Sequence, residues 1–166
     1  INEANIIFHP FLYGSNVQGT ARSGFYGLAG WHSKKHLLRA LYEGVVFGHL
    51  THLEKLRKAG GEFNKVRLTG GGARSQVWSQ MFADILDVSV EVTRGNEIGA
   101  LGTALTAGVG IGIYKNFDEA TQQMVVVDRI HEPDHQHSKL YLEKFEAYKE
   151  LINVMSDPWN HLNSMG

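Results

Sequence analysis

Cysteine is absent from all 166 residues. That excludes a disulfide scaffold and any thiolate-held metal, and it agrees with a reducing, cytoplasmic setting. Excess charge is missing too: 16 Lys and Arg face 17 Asp and Glu, a formal net charge of −1. A chain so balanced carries no basic stripe for nucleic acid. No stretch approaches the roughly 18 consecutive apolar residues that a membrane-spanning helix needs. The opening INEANIIFHPFLYGSN has no initiator Met, no charged n-region and no apolar h-region, so it does not read as a signal peptide. Its turn-rich, partly apolar character predicts the interior of a longer protein. No internal repeat and no low-complexity segment interrupts the chain.

What is present is an ordinary globular composition, 43% hydrophobic and 20% charged, in a length that suits one domain with a real core. Residues 9–32 hold five glycines, Pro10 and scattered aromatics, and read as a long ordered loop of the kind that tends to be functional. Ser33 is a natural N-cap for a helix over 35–58, with Leu38, Leu41, Val45, Leu53 and Leu56 as its apolar stripe and Gly60-Gly61 as its stop. Gly44 and Gly48 lie four apart inside that helix, where each costs about 1 kcal/mol relative to Ala. Another backbone is therefore expected against that face.

Beyond residue 60 the pattern alternates. Strands are predicted over 65–69, 88–93 and 125–130, and helices over 75–86, 97–109, 118–124 and 134–155. Val88, Val90 and Val92 share one face of the second strand, and Asn96 is placed to cap the helix after it. The last helix has Tyr141, Phe145, Tyr148, Ile152 and Met155 as its buried stripe. Strand and helix in turn, with short links, predict an α/β layered fold, substantially parallel, with helices on both faces of the sheet.

The chemistry concentrates at two glycine clusters. In VRLTGGGARSQVWSQ a strand runs into Gly70, Gly71 and Gly72 and then into a helix, which gathers free backbone N–H groups where an anion such as phosphate can approach. Ser75 and Gln76 follow, with side chains able to reach a base or ribose. A ligand-free tight turn would use the same residues. Gly70-x-Gly72-x-x-Ser75 is also a degenerate dinucleotide fingerprint with Glu91 near the distance of the expected acid, but Glu91 lies inside its strand. No Gly-Lys-Ser/Thr follows, so it is not a P-loop. In NEIGALGTA, small residues at Gly99, Gly102 and Ala104 suit either close helix packing or a planar ring.

The remaining candidates are weaker. His32 and His36 lack the Glu of a zinc-protease motif. His49 and His52 fall on a polar helix flank. His131, His135 and His137 surround Pro133 as a solvated linker or, less readily, a metal site. Arg22 suits a phosphate or a loop equally, and Trp159 suits an anchor for the tail.

LTGGGARSQVWSQMFAD followed by EIGALGTA resembles the carboxyl-terminal domain of the FGGY carbohydrate kinases. FYGLAGWHSKKHLLRALYEGVVF, with its Ala-x-x-Glu-Gly, resembles a second signature of that family, and FHPFLYGSN fits just upstream. The likeness runs from Phe8 to the terminal helix in family order. FLYGSN, SGFYGL, ALYEGVVFGHLTHL and the region around 112–117 are similar to members that act on L-xylulose. The resemblance implies an actin-like (ribonuclease-H-like) ATPase domain whose first strands lie upstream of Ile1. It implies that the whole chain is the nucleotide-binding half of a two-domain kinase using ATP and Mg²⁺ on a ketopentose. By that resemblance Gly70, Gly71 and Gly72 approach the phosphates, Ser75 and Gln76 the ribose or adenine, and Glu97, Gly99 and Ala100 the purine. The catalytic Asp and most sugar contacts would lie in the other half, which leaves this chain inactive alone. An incomplete sheet would also pair its free edges between copies into a homo-oligomer. The competing reading is a non-catalytic nucleotide- or dinucleotide-binding module.

Overall fold

The structure, a computed structural model, describes residues 5–95 and 97–165. The expected cap at Asn96 lies outside the described residues. Two compact units divide the chain. One comprises residues up to Glu62, Asp84–Asp87 and the residues from Pro133 onward; the other comprises Phe63–Ala83 and Val88–Glu132.

The first unit begins with strands β1 (Ile7–His9) and β2 (Gly24–Tyr26), an antiparallel pair joining Ile7 to Tyr26 and His9 to Gly24. Both are three residues long, too short to leave a period-two signal, so the sequence showed only a loop there. Helix α1 (Lys34–Lys58) starts at Ser33, whose amide donates to His36 Nδ1 at 3.0 Å. It ends where the amides of Gly60 and Gly61 bond back to Arg57 and Leu56.

The buried face of α1 is not the expected one. Ala40, Glu43, Gly44, Val46, Phe47, Leu50 and Leu53 are buried, while Leu38 and Leu56 are about half exposed. The cause is Gly44: a Cβ there would overlap the carbonyl oxygen of Phe8, so the helix rests its glycine directly on β1. Gly48 has nothing within 4 Å, and the close approach predicted for both glycines holds for Gly44 alone. The same rotation buries Glu43, whose carboxylate accepts from Arg39 Nε at 2.7 Å and from Lys144 Nζ. A buried carboxylate is tolerated only when paired in this way.

Helix α2 (Gln76–Leu86) contributes its last turn, with Ile85 and Leu86, to this unit. Helix α5 (His135–Val154) buries Tyr141, Phe145, Tyr148 and Ile152 as expected. Its cap is Asp134, which accepts from the amides of Gln136 and His137. Those bonds, that from His137 foremost, hold the Asp134 carboxyl below the usual carboxylate range. A separate helix, α6 (Ser156–Ser164), follows and carries Trp159, only 1% exposed. Trp159 and Phe11 pack around the ring of His9, and Tyr148 meets it edge-on at 4.6 Å. His9 donates from Nε2 to the Tyr148 carbonyl at 3.0 Å, and burial pushes its pKa down to about 4.

The second unit is a three-stranded sheet in the order β3 (Lys65–Leu68), β4 (Ser89–Thr93), β5 (Val127–His131). β3 and β4 run parallel and β5 is antiparallel to β4, so the sheet is mixed where the alternating pattern predicted a largely parallel one. Val88, Val90 and Val92 are buried together. Helices α3 (Ile98–Gly110) and α4 (Phe117–Met124) fill the long connection from β4 to β5. Asn116 caps α4 by accepting from the Glu119 amide at 2.9 Å. No helix among the described residues is long and apolar enough to cross a membrane.

Candidate functional site

β3 and β4 end side by side, and in parallel sheets the carboxyl ends of the strands are where ligands collect. The chain leaves β3 at Leu68 and turns at Gly70, which adopts φ +87°, a left-handed conformation that glycine reaches without strain. A short 3₁₀ helix, Gly71–Arg74, separates that turn from α2; the sequence pattern had run the glycines straight into the helix. No acceptor among the described residues takes the amides of Gly70, Gly71 or Gly72; the bonds of this turn begin with Ala73 N–H to Gly70 O. A Cβ would meet nothing at Gly70 or Gly71, whereas at Gly72 it would come within 2.7 Å of the Trp78 ring. Gly72 is thus explained by packing. Gly70 and Gly71 keep open space.

Beside Gly70 lies a cleft of about 140 Å³ lined by Thr69, Ala73 and Arg74 from the turn, and by Val92, Thr93, Arg94, Gly95 and Ile98 around the end of β4. Asp128 and Arg129 of β5 complete it. The ladder between β4 and β5 slips between Val92 and Thr93, an irregularity of the kind that re-aims side chains near functional sites. Arg129 is opposite Val92 and donates through Nη2 to the Ala73 carbonyl, fixing the 3₁₀ turn against the sheet. Ser79 Oγ donates to the same carbonyl at 3.2 Å. Three arginines therefore line the cleft with one carboxylate, Asp128, which stands 3.6 Å from both Arg94 and Arg129. The cleft is a positively charged recess next to unclaimed backbone amides.

Of the eight residues singled out from sequence, Gly70 lines the cleft. Gly71, Gly72, Ser75 and Gln76 continue along the adjoining turn and helix start. Ser75 Oγ accepts from the Trp78 amide at 3.2 Å, the bond of a helix cap, which leaves its own hydroxyl hydrogen to donate. Glu97 precedes α3 and makes no side-chain cap bond. Gly99 and Ala100 are exposed on the first turn, and a Cβ at Gly99 or Gly102 would touch nothing within 4 Å. The helix-packing explanation for that small-residue face has no partner among the described residues.

Sequence reasoning missed Thr69, Arg74, Thr93, Arg94, Asp128 and Arg129. Thr69 and Arg94 were findable as the residues just beyond two adjacent parallel strands, whereas Arg74 ends the 3₁₀ turn and Thr93 is the last residue of β4 beside the slipped pair. Asp128 and Arg129 were not, because their place depends on the antiparallel register of β5.

Glu91 resolves differently from a ribose-binding acid. It accepts from Lys65 Nζ at 2.9 Å and Arg67 Nη2 at 2.8 Å, and those bonds, that from Lys65 first, hold its carboxyl below the usual range. Its oxygens are committed across the strands. The histidines divide as well: His131 Nδ1 is 3.1 Å from Gln80 Oε1, while His135 is 2.9 Å from Asp87. No group of three or more His, Asp or Glu side chains placed to hold a metal occurs among the described residues. Arg22 spends its donors on the carbonyls of Thr20 and Ala21 and on Asn163.

Residues 3–111 match the FGGY family of carbohydrate kinases, C-terminal domain. The L-xylulose/3-keto-L-gulonate kinase of Escherichia coli K12 is 44% identical over 151 residues, covering 91% of this chain and 30% of the relative. Among solved structures, a ligand-bound xylulose kinase from Lactobacillus acidophilus superposes with a TM-score of 0.85 at 25% identity, over 95% of this chain and 33% of its own. The glycerol kinase of Plasmodium falciparum with ADP gives a TM-score of 0.74 at 25% identity, over 89% and 30%. The chain thus spans about a third of the length of the relatives it matches. The fold is the actin-like ATPase α/β fold of these kinases, and the chain belongs to the FGGY family of carbohydrate kinases, matching its carboxyl-terminal domain.

Proposed function

We propose that this chain is the ATP-binding carboxyl-terminal domain of a two-domain kinase that phosphorylates a ketopentose of the xylulose type. The observation that carries the proposal is the cleft beside Gly70, where open backbone amides and three lining arginines gather around the ends of two parallel strands. Phosphoryl transfer relies on positioning and on stabilising charge around the γ-phosphate, and a recess of donors does that work. In this reading Gly70, Gly71 and Gly72 offer backbone N–H groups to the phosphates. Ser75 and Gln76 reach the ribose or adenine, and Glu97, Gly99 and Ala100 form the wall the purine lies on. The glycerol kinase that superposes on the chain is described with ADP, which agrees with a nucleotide here.

The residues present suit the nucleotide and leave the metal to it. Mg²⁺ would enter with the phosphates and supply further charge neutralisation at the transferring group. The sugar and the Asp that takes its hydroxyl proton belong to the amino-terminal half, so the 166-residue chain is expected to bind nucleotide without turnover. The E. coli relative's name points to L-xylulose as the acceptor to try first. The cytoplasm, where ATP and such sugars meet, is the setting this reading implies.

A calorimetric titration with ADP and, separately, NAD tests the assignment. Binding of ADP without NAD is expected; preference for NAD would overturn it. Glu91, the acid a dinucleotide module would call on, is paired with Lys65 and Arg67, which supports the ATP reading over that one.

A further inference from the structure

The cleft contains two buried donors with no partner. Thr93 is only 8% exposed, and its hydroxyl makes no hydrogen bond. Arg129 Nε is likewise buried and unbonded, although Nη2 of the same side chain holds the Ala73 carbonyl. Both side chains line the same recess, one on each side of the strand irregularity at Val92 and Thr93. A buried polar group left unpaired destabilises the free protein, and native structures keep few of them. Two in one small cleft ask for a shared acceptor.

The chemistry of that acceptor follows from the lining. Guanidinium groups only donate, and the Thr93 hydroxyl can donate. Asp128, the one carboxylate of the lining, is already flanked by Arg94 and Arg129. A sugar hydroxyl needs acceptors as well as donors, whereas a phosphate group only accepts and carries the opposite charge. The geometry points to a phosphate subsite on the β4–β5 side of the cleft, formed by the Thr93 hydroxyl and Arg129 Nε, with Arg94 as the exposed rim charge. It deepens the nucleotide reading and rests on it for what carries the phosphate, not for the subsite itself. A phosphate esterified in a nucleotide and a free polyphosphate share this chemistry.

Thr93→Val keeps the shape and removes the hydroxyl. A merely structural Thr93 and a ligand-binding one respond differently, because the hydroxyl supports nothing in the free protein. Calorimetric titrations of wild type, Thr93→Val and Thr93→Ser with inorganic pyrophosphate, ADP and adenosine are paired with thermal melts. The expected result is an affinity loss on the order of tenfold for pyrophosphate and ADP in Thr93→Val. Adenosine binding is unchanged, Thr93→Ser regains the affinity, and the melting temperature of Thr93→Val is equal or higher. Pyrophosphate binding that depends on Thr93 while ADP fails to bind would sustain the subsite and end the nucleotide reading. ADP bound equally by wild type and Thr93→Val would overturn the subsite and leave the nucleotide reading standing. A folded wild-type chain that binds neither pyrophosphate nor ADP overturns both.

Discussion

Two helices of this protein carry paired glycines, and the structure uses them in opposite ways. In α1, Gly44 is pressed against the Phe8 carbonyl, and around it stands a closed core in which His9, Tyr148 and Trp159 are each 1% exposed or less. In α3, Gly99 and Gly102 face nothing within 4 Å, in the unit that also holds the open cleft beside Gly70. Both pairs forfeit about 1 kcal/mol per residue in helix propensity. At Gly44 a neighbouring backbone lies against the glycine; at Gly99 and Gly102 no described residue does.

The largest effect expected from that contrast is acid sensitivity of the closed unit. His9 is held neutral, its pKa lowered from 6.5 to about 4 by burial. A depressed histidine contributes stability that is complete above the unfolded pKa and is lost as the pH falls through the window from 6.5 toward 4. Roughly 3 kcal/mol should disappear across it. Urea titrations at pH 7 and pH 4.5 measure the loss, and His9→Gln should flatten it; an equally steep limb in that variant would remove His9 as the cause.

Gly44→Ala comes next. Its methyl must displace backbone, so destabilisation of about 2 kcal/mol is expected despite the gain in propensity. A shift of the denaturation midpoint in the other direction would show that α1 does not rest on β1. Gly99→Ala should do the reverse, raising stability by about 1 kcal/mol because no atom stands in the way. If the small-residue face receives a purine, the same variant weakens ADP binding in calorimetry. Unchanged affinity would make the two glycine pairs differ in packing only.

The smallest effect is at Glu91. Its lowered pKa contributes stability that is present above the ordinary carboxylate range and lost as the pH drops below it. The cross-strand pairs to Lys65 and Arg67 are partly exposed, and Glu91→Gln should cost under about 1 kcal/mol, less in high salt. A larger, salt-independent loss would assign the sheet of the open unit a buried electrostatic core.

Much of the fold was legible because period and punctuation agreed. Val88, Val90 and Val92 alternate, Tyr141 to Ile152 recur at helical spacing, and Gly60-Gly61 ends α1 where expected. The buried face of α1 was not legible, since Gly44 and Glu43 carry no hydrophobic signal and only their neighbours reveal them. The same limit applies to the site. The glycine turn announced itself through backbone chemistry that any reader of the sequence can weigh. Thr93, Asp128 and Arg129 come together through strand register and one slipped pair, and pairwise geometry across a sheet leaves no mark along a single strand.

Trp159 packs on His9, and His9 bonds to a carbonyl 139 residues away. The closed unit joins the beginning of the sequence to its end, while the sheet unit lies wholly within residues 63–132. Emerging from a ribosome, the sheet can form from local segments early, whereas the aromatic core must wait until α6 has been synthesised, and distant pairings of this kind fold slowly. Until then Phe11 and Phe47 lack the Trp159 and Tyr148 rings that pack on them in the folded unit, so apolar surface of this unit stays uncovered while the sheet can already be formed.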